Sequence, residues 1–260
     1  MTQSIFITGG GSGIGRATAI LFAARGWRVG LADVDAAGMA ATRALLPADR
    51  VETYVMDVRD RDAWVASLDA FTGGGGLDVL FNNAGIGTGG PLALTDFAEI
   101  DRVVAINLVG AINGAKIGHA YLKRIPGSCL LNTASASAIY GSAGLAPYSA
   151  TKFGVRALTE ALDGEWAAER IRVRSIVPSF IDTPLLDATT AASNRSIRQT
   201  VTAAGMELTG VDTVAEAAWA AVHGDRLHTY VGKTARSMAF AARWMPGKLR
   251  KRMRGRRRPG

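Results

Sequence analysis

The sequence predicts an α/β fold built on one doubly wound parallel sheet of about seven strands, with helices on both faces. Three observations carry this. Short β-branched runs alternate with amphipathic stretches along most of the chain, as repeated βαβ units do. A glycine-rich turn, Thr8-Gly9-Gly10-Gly11-Ser12-Gly13-Ile14-Gly15, leads directly from the first such run into the first helical stretch. No Pro- or Ser-rich linker divides the 260 residues, a length suited to one large α/β domain.

Residues 4–8, Ser-Ile-Phe-Ile-Thr, are apolar on both pleat faces, as a strand covered by helices on both sides must be. Apolar residues at helical spacing over 14–25 give the first helix. The runs 28–32 and 51–55 give the second and third strands, with a helix at 36–46 between them. A helix at 61–71 passes through the flexible Gly73-Gly74-Gly75-Gly76 into a strand at 77–81. Long helical stretches at 96–122 and 148–169 enclose a strand at 128–132. A strand at 171–177 follows, and 229–231 is a weaker seventh. Parallel neighbours demand right-handed crossovers, which distribute the helices over both faces.

Hydrophobic residues make up 48% and charged residues 20%, enough apolar material for a core and unlike a disordered chain. The single cysteine, Cys129, lies in the run Cys-Leu-Leu. It excludes an intrachain disulfide, fits a reducing compartment and reads as a core residue rather than a nucleophile. His119, His223 and His228 lack metal-ligand spacing, so no metal is expected. No signal-peptide pattern opens the chain, and no uninterrupted apolar run approaches the ~18 residues of a membrane span. A cytoplasmic protein is expected. The net charge of +8 is uneven: residues 226–260 hold 12 of the 30 Lys and Arg and none of the 22 Asp and Glu, leaving the remainder at −4. The body therefore gives no electrostatic case for nucleic-acid binding. The chain divides into a folded unit, 1–235, and a basic tail, 236–260.

The chemistry concentrates between residues 132 and 152. Tyr148 and Lys152 stand four residues apart, which on a helix puts the ammonium near the phenol, and Ser135 lies thirteen residues upstream of the tyrosine. A nearby cation favours the phenolate and draws its pKa toward the working range. Tyr148 can then exchange a proton with an alcohol or ketone whose oxygen Ser135 also holds. At the other end of the chain, the turn 8–15 offers backbone amides and a helix N-terminus to a pyrophosphate. Asp33, twenty residues after Gly13, accepts from an adenosine ribose and repels a 2′-phosphate, or alternatively caps the next helix.

On these residues, from about 4 to 232, the chain resembles the short-chain dehydrogenase/reductase family of the classical type. The turn 8–15 is similar to its TGxxxGxG, Asn82-Asn83-Ala84-Gly85 to its NNAG, and 148–152 to its YxxxK. The resemblance implies a Rossmann-type fold and a catalytic tetrad of Asn107, Ser135, Tyr148 and Lys152. In it Tyr148 is the acid/base, Ser135 positions the substrate oxygen, Lys152 lowers the tyrosine pKa and binds the nicotinamide ribose, and Asn107 holds a water of a proton relay. For the cofactor it implies Gly9, Ser12, Gly13, Ile14 and Gly15 at the pyrophosphate and Asp57 and Val58 at the adenine. Asn83, Ala84 and Gly85 would line the cleft, with Asn83 also a turn residue. Pro178, Ile181 and Thr183, from a segment similar to PGxxxT, would approach the nicotinamide. Ser179 stands where the family has Gly. Ser137, Ile139 and Ala143 would join Ser135 and Tyr148 at the substrate, with 185–206 as a mobile lid or a surface helix. The positions that are basic in members binding NADP are Ser12 and Val34 here, and Arg16 reads as solvent-facing or ion-paired. The helices matching 103–122 and 148–168 imply a homodimer. The Asp-Gly-Gly ending of many members is missing, which leaves a tetramer open.

The expected activity is NAD-dependent interconversion of a small hydrophobic secondary alcohol and its ketone. An NADPH-dependent carbonyl reductase and a non-catalytic NAD-binding scaffold are the rival readings. In the tail, Met238, Ala241, Met245, Leu249 and Met253 recur at helical steps, Trp244 is an interfacial anchor, and 248–258 holds eight basic residues, interrupted from the first half by Pro246-Gly247. Such a segment suits peripheral contact with an anionic membrane. Alternatively, its first half packs on the body or a partner subunit and its last dozen residues are solvated.

Overall fold

β1 (Ser4–Thr8) is the strand around which the sheet is built. All five of its residues are buried, and its side chains alternate between layers, Ile5 and Ile7 to one and Phe6 to the other. The computed structural model describes residues 2–187, 189–190, 193–203 and 207–255. β2 (Arg28–Asp33) and β4 (Val79–Asn82) flank β1, and β3 (Val51–Val55) lies outside β2. β5 (Cys129–Thr133) and β6 (Arg172–Pro178) continue beyond β4. A small antiparallel ribbon, β7 (Thr189–Thr190) with β8 (Ser193–Ser196), precedes the last sheet strand, β9 (His228–Val231). The order β3-β2-β1-β4-β5-β6-β9 is parallel throughout, the seven-stranded doubly wound sheet that the sequence predicts.

α1 (Gly13–Ala24) and α2 (Ala36–Arg43) cover one face. α3 (Arg61–Thr72), α4 (Phe97–Val104), α5 (Gly110–Leu122) and α6 (Ala146–Glu165) cover the other. After the short α7 (Ile197–Ala203), α8 (Val211–His223) returns to the α1 side, followed by α9 (Lys233–Trp244) and α10 (Pro246–Gly255). On the α1 side Phe22 meets Trp27 and Trp219 edge-on at centroid distances of 5.1 and 4.9 Å. Such pairs stabilise by roughly 0.5–1.5 kcal/mol beyond their area. On the other side Trp64 is fully buried and its indole N–H donates to Val58 O at 3.0 Å, so the large ring leaves no orphan donor. Cys129 is buried, and burial pushes its thiol up to about 12, which makes it an inert core residue.

Four departures from the sequence expectation have physical reasons. The strand expected at 77–81 begins at Val79, because Leu77 N–H pairs with Tyr121 O at the end of α5 rather than with a strand. The helix expected over 96–122 is interrupted by a π turn, Ala105–Val109, whose extra residue redirects Asn107. The helix expected over 148–169 starts earlier and stops at Glu165, after which the chain turns and Arg170 adopts a left-handed φ of 58°. α8 was not anticipated from an Ala-rich stretch, although Val214, Ala218, Ala221 and Val222 bury one face of it. Phe97–Leu122 is long and apolar enough to cross a membrane by composition, but it is a platform packed between α3 and α6.

α5 seats against β4 through glycine. A Cβ at Gly114 would lie 2.2 Å from Asn82 Oδ1 and 2.8 Å from the Trp64 ring. Gly114→Ala is therefore expected to push α5 off the sheet and cost about 1–3 kcal/mol. In thermal unfolding that appears as a drop of about 2–4 °C per kcal/mol for a chain of this size; an unchanged Tm would show that the helix yields freely.

Candidate active site

The strand order reverses between β1 and β4, and their C-terminal ends diverge into a crevice, the place where open parallel sheets bind ligands. A cleft of about 560 Å³ opens there. Its floor is the glycine turn, where Gly9 and Gly13 take left-handed φ of +70° and +51°. A Cβ on Gly15 would lie 2.1 Å from Gly9 O, so the helix can start this close to the strand only with glycine. Gly9, Ser12, Gly13 and Ile14 line the cleft, while Gly15 sits behind them. Ser12 makes no side-chain cap to α1, which leaves first-turn amides of the helix available to an anion. A pyrophosphate fits that uncapped, Cβ-free cradle.

The turn is braced from outside the cleft. Asp33 Oδ2 accepts from Gly11 N–H at 2.9 Å and its Oδ1 from Asp35 N–H at 3.1 Å, while the carboxylate also lines the cleft. The alternative of Asp33 as a helix cap does not hold: Asp35 caps α2, accepting from Gly38 N–H. Arg16 is half-buried and makes no ion pair among the described residues. It lies across the turn, donating to Gly11 O, Gly38 O and Thr42 Oγ1.

Thr8 and Asn83 close the back of the crevice. Thr8 Oγ1 accepts from Asn83 N–H at 3.0 Å and Ala84 N–H at 3.1 Å, and donates to Phe81 O. The Asn83 amide donates to Thr8 O at 3.0 Å and accepts from Thr133 Oγ1 at 3.1 Å, so one side chain ties the ends of β1 and β5 to the turn after β4. Asn83, Ala84 and Gly85 all line the cleft.

At the far end, Ser135, Tyr148 and Lys152 line the same wall. The first turns of α6 carry Tyr148 and Lys152 on one face, and Ser135 follows directly on the end of β5. Lys152 is buried, its Nζ donating to Thr133 O at 2.9 Å and lying 5.7 Å from the Tyr148 ring centre. Burial lowers its pKa to about 8. The expectation that this cation draws the phenol down is corrected: burial raises the Tyr148 pKa, and the only opposing influence is a hydrogen bond with Ser135. The reason is geometric, since the ammonium is turned to the Thr133 carbonyl and sits beside the ring.

Asn107 is buried but is not on the cleft wall. Its Oδ1 accepts from Ile86 N–H at 2.8 Å and its Nδ2 donates to Ile86 O at 2.9 Å, a two-point clamp on the segment after Gly85. Ser137 and Ile139 are likewise not brought to the cleft. Ser137 N–H caps onto Ser135 Oγ at 3.1 Å, and Ile139 packs with Ala136, Val155, Val177 and Ala235. Ala143 is exposed. Asp57 and Val58 line the cleft, and a hydrogen-bonded ion pair with Arg59 holds the Asp57 carboxyl below its usual range. Pro178, Ile181 and Thr183 complete the opposite rim; Ser179, where the family has Gly, buries a hydroxyl without a partner among the described residues. Ala188, Ala191, Ala192, Ala204, Gly205 and Met206 of the expected lid lie outside the described residues. What remains of it is held by Arg198, which bonds Asp182, Asp187 at 2.6 Å and Thr183 O at 3.0 Å.

A sequence model of the short chain dehydrogenase family matches residues 3–194. The chain belongs to that family. Among curated relatives of this dehydrogenase, levodione reductase of Leifsonia aquatica is 38% identical over 192 residues, 70% of this chain and 71% of that one. Cis-4-hydroxycyclohexanecarboxylate dehydrogenase of Sinomonas cyclohexanicum is 38% identical over 183 residues, covering 69% and 74%. The crystal structure of levodione reductase superposes with a TM-score of 0.81 at 30% identity, over 90% of this chain and 98% of that one. A short chain dehydrogenase/reductase from Burkholderia phymatum in complex with NAD gives 0.83 at 26%, over 100% and 96%. A Burkholderia cenocepacia short chain dehydrogenase in complex with NADP shares the fold, at 0.78 and 24%, over 90% and 98%.

Sequence reasoning missed several wall residues of the cleft: Arg59, Ile86, Arg102, Leu185 and Leu186. Arg59 sits one residue past the Asp57-Val58 pair and was there to be found; Arg102 had no local signal.

The Thr8 hydroxyl is the acceptor for two amides at the crevice. Thr8→Val is expected to leave both without that acceptor and to destabilise the chain by about 2–6 kcal/mol in denaturant titration, at about 1–3 kcal/mol for each lost partner. Thr8→Ser should stay close to the parent, and equal stability of Val and parent would remove the hydroxyl from this role.

Proposed function

We propose that this dehydrogenase interconverts a secondary alcohol and its ketone using NAD(H), with Tyr148 as the proton donor and acceptor. The observation that carries the reading is that Ser135, Tyr148 and Lys152 share one cleft with the glycine turn and Asp33. The nicotinamide, when bound, supplies or takes the hydride. The turn 9–15 would hold its pyrophosphate, Asp33 its adenosine ribose, and Lys152 its second ribose. Ser135 donates to the substrate oxygen and orients it toward the Tyr148 hydroxyl. With its pKa raised, Tyr148 carries its proton at neutral pH and is ready to give it to a carbonyl oxygen; alcohol oxidation needs the phenolate. Asn107 acts through Ile86, fixing the wall beside Gly85. The apolar Ile86, Leu185 and Leu186 favour a hydrophobic substrate, and the likeness to a hydroxycyclohexanecarboxylate dehydrogenase supports an alicyclic alcohol or ketone.

Tyr148→Phe keeps the ring and removes the exchangeable proton, so turnover should fall by at least ~10²-fold while cofactor still binds; retained turnover would end the assignment. The two pKa directions give opposite signs. Because the tyrosine is shifted up, kcat/KM for oxidation should climb through the alkaline range while reduction is favoured near neutrality. Because Lys152 loses its charge near pH 8 in the free chain, cofactor affinity should decline from pH 7 to 9, a trend that Lys152→Met abolishes. Fluorescence titration of cofactor at several pH values reads the second effect separately from turnover.

For the cofactor, Asp33 on the cleft wall and the uncharged Ser12 and Val34 favour NAD, whereas a cation such as Arg102 on the same wall favours NADP. Isothermal titration with both cofactors decides. We expect NAD to bind at least ~10-fold tighter and Asp33→Ala to narrow the gap; a preference for NADP in the parent overturns the NAD reading alone. A homodimer through α5 and α6, which expose Ile112 and Phe153, belongs to the same proposal, and its mass in solution tests it.

A further inference from the structure

The tail folds as two helices, and their packing changes which residues face out. The stripe Met238, Ala241, Met245, Leu249 and Met253 does not form the outer face: all five line a groove between α9 and α10, and Leu249 is only 4% exposed. The inner face of α9, with Ala235, Met238, Ala239 and Ala242, packs on the cluster around Ile139 and Val177. What α9 leaves exposed is Lys233, Arg236, Ser237, Phe240, Arg243 and Trp244, positions that recur at three- and four-residue steps and so lie on one face. Phe240 is 58% and Trp244 65% exposed. α10 adds five Lys and Arg and no acid, and none of the basic residues of either helix makes an ion pair among the described residues.

We propose that α9 and α10 dock this protein on an anionic phospholipid surface, with Phe240 and Trp244 entering the headgroup boundary and the flanking cations pairing with lipid phosphates. Interleaved cations and large apolar side chains on one helix face are what an interfacial helix presents. Arg243 stacks on the Trp244 ring at 5.4 Å and Arg236 donates to Tyr230 O, yet neither is neutralised by a carboxylate, so their charge remains available to anionic headgroups. Phe240 and Trp244 stand at the end of α9 where Met245 and Pro246-Gly247 turn the chain, so the most apolar exposed part is a tip with basic flanks, a shape suited to shallow insertion. A nucleic acid would instead require a basic track along which phosphates follow one another.

The test is co-sedimentation of the full chain with vesicles of phosphatidylserine and phosphatidylcholine, and with phosphatidylcholine alone. We expect binding to the anionic vesicles only, lost as salt rises from 0.05 to 0.5 M, roughly the range over which the screening length falls from above to below 10 Å. Lys248→Gln, Lys251→Gln and Arg254→Gln together should weaken binding by about two orders of magnitude, at roughly fivefold for each cation near the surface. Phe240→Ser with Trp244→Ser should weaken it at every salt concentration. Both variants alter exposed residues only, and the salt titration on the parent needs no variant. Equal binding to neutral vesicles, no binding at low salt, or binding untouched by both variants overturns the proposal. So does a tail that binds single-stranded RNA in preference to vesicles, or a Phe240/Trp244 variant that dissociates an oligomer, since either would give the face another occupant.

Discussion

A single pair of polar side chains holds the crevice open. Parallel strands that part at a switch point leave unpaired main-chain groups at their ends, and a cleft among such groups collapses or fills with water unless something binds them. Thr8 and Asn83 bind them here, across β1, β4 and β5. Once that knot is tied, the glycine turn after Thr8 and the segment after Asn83 become opposite walls of one slot. Asp33 and Arg16 then need only hold the turn in place from behind.

The second constraint is burial at the far end, where Lys152 is buried and Tyr148 half-buried. Burial moves Tyr148 and Lys152 in opposite senses on the pH scale, the phenol up and the ammonium down, because in both cases it disfavours the charged form. A pair read only from its spacing reads as an ion beside a phenol. In the folded chain Lys152 spends a hydrogen bond on Thr133 O, and the hydroxyl that meets Tyr148 belongs to Ser135.

The sequence disclosed what is periodic or local. β1 through β6 and their helices show in alternation and spacing, and the turn 8–15 shows in its glycines. Tyr148 with Lys152 shows as one helix face. Long-range contacts stayed hidden. Nothing near Asn107 in sequence says that a π turn will point it at the main chain of Ile86, and Arg102 reaches the cleft only because α4 passes over the switch point. Ser137 and Ile139 follow Ser135 closely enough to be read as substrate contacts. Yet the short 3-10 turn at Ala136–Ala138 carries them off the cleft wall, and Ile139 packs in the cluster that α9 covers. α8 was missed because alanine is a strong helix former but leaves a weak apolar pattern, and its burial depends on the partner helix α1.

That same turn joins the two ends of the molecule. Ala136 follows Ser135 at the catalytic end of the cleft, and it packs in the cluster that the inner face of α9 covers. α9 is therefore a helix with one face on the wall next to Ser135 and the other, bearing Phe240 and Trp244, on the outside. Its small inner residues, Ala235, Ala239 and Ala242, let it approach the body closely. Residues 236–244 are thus not an appendage added after a domain that ends at 235. α9 starts at Lys233 and closes part of the core, and α10 packs on α9 through the buried Leu249.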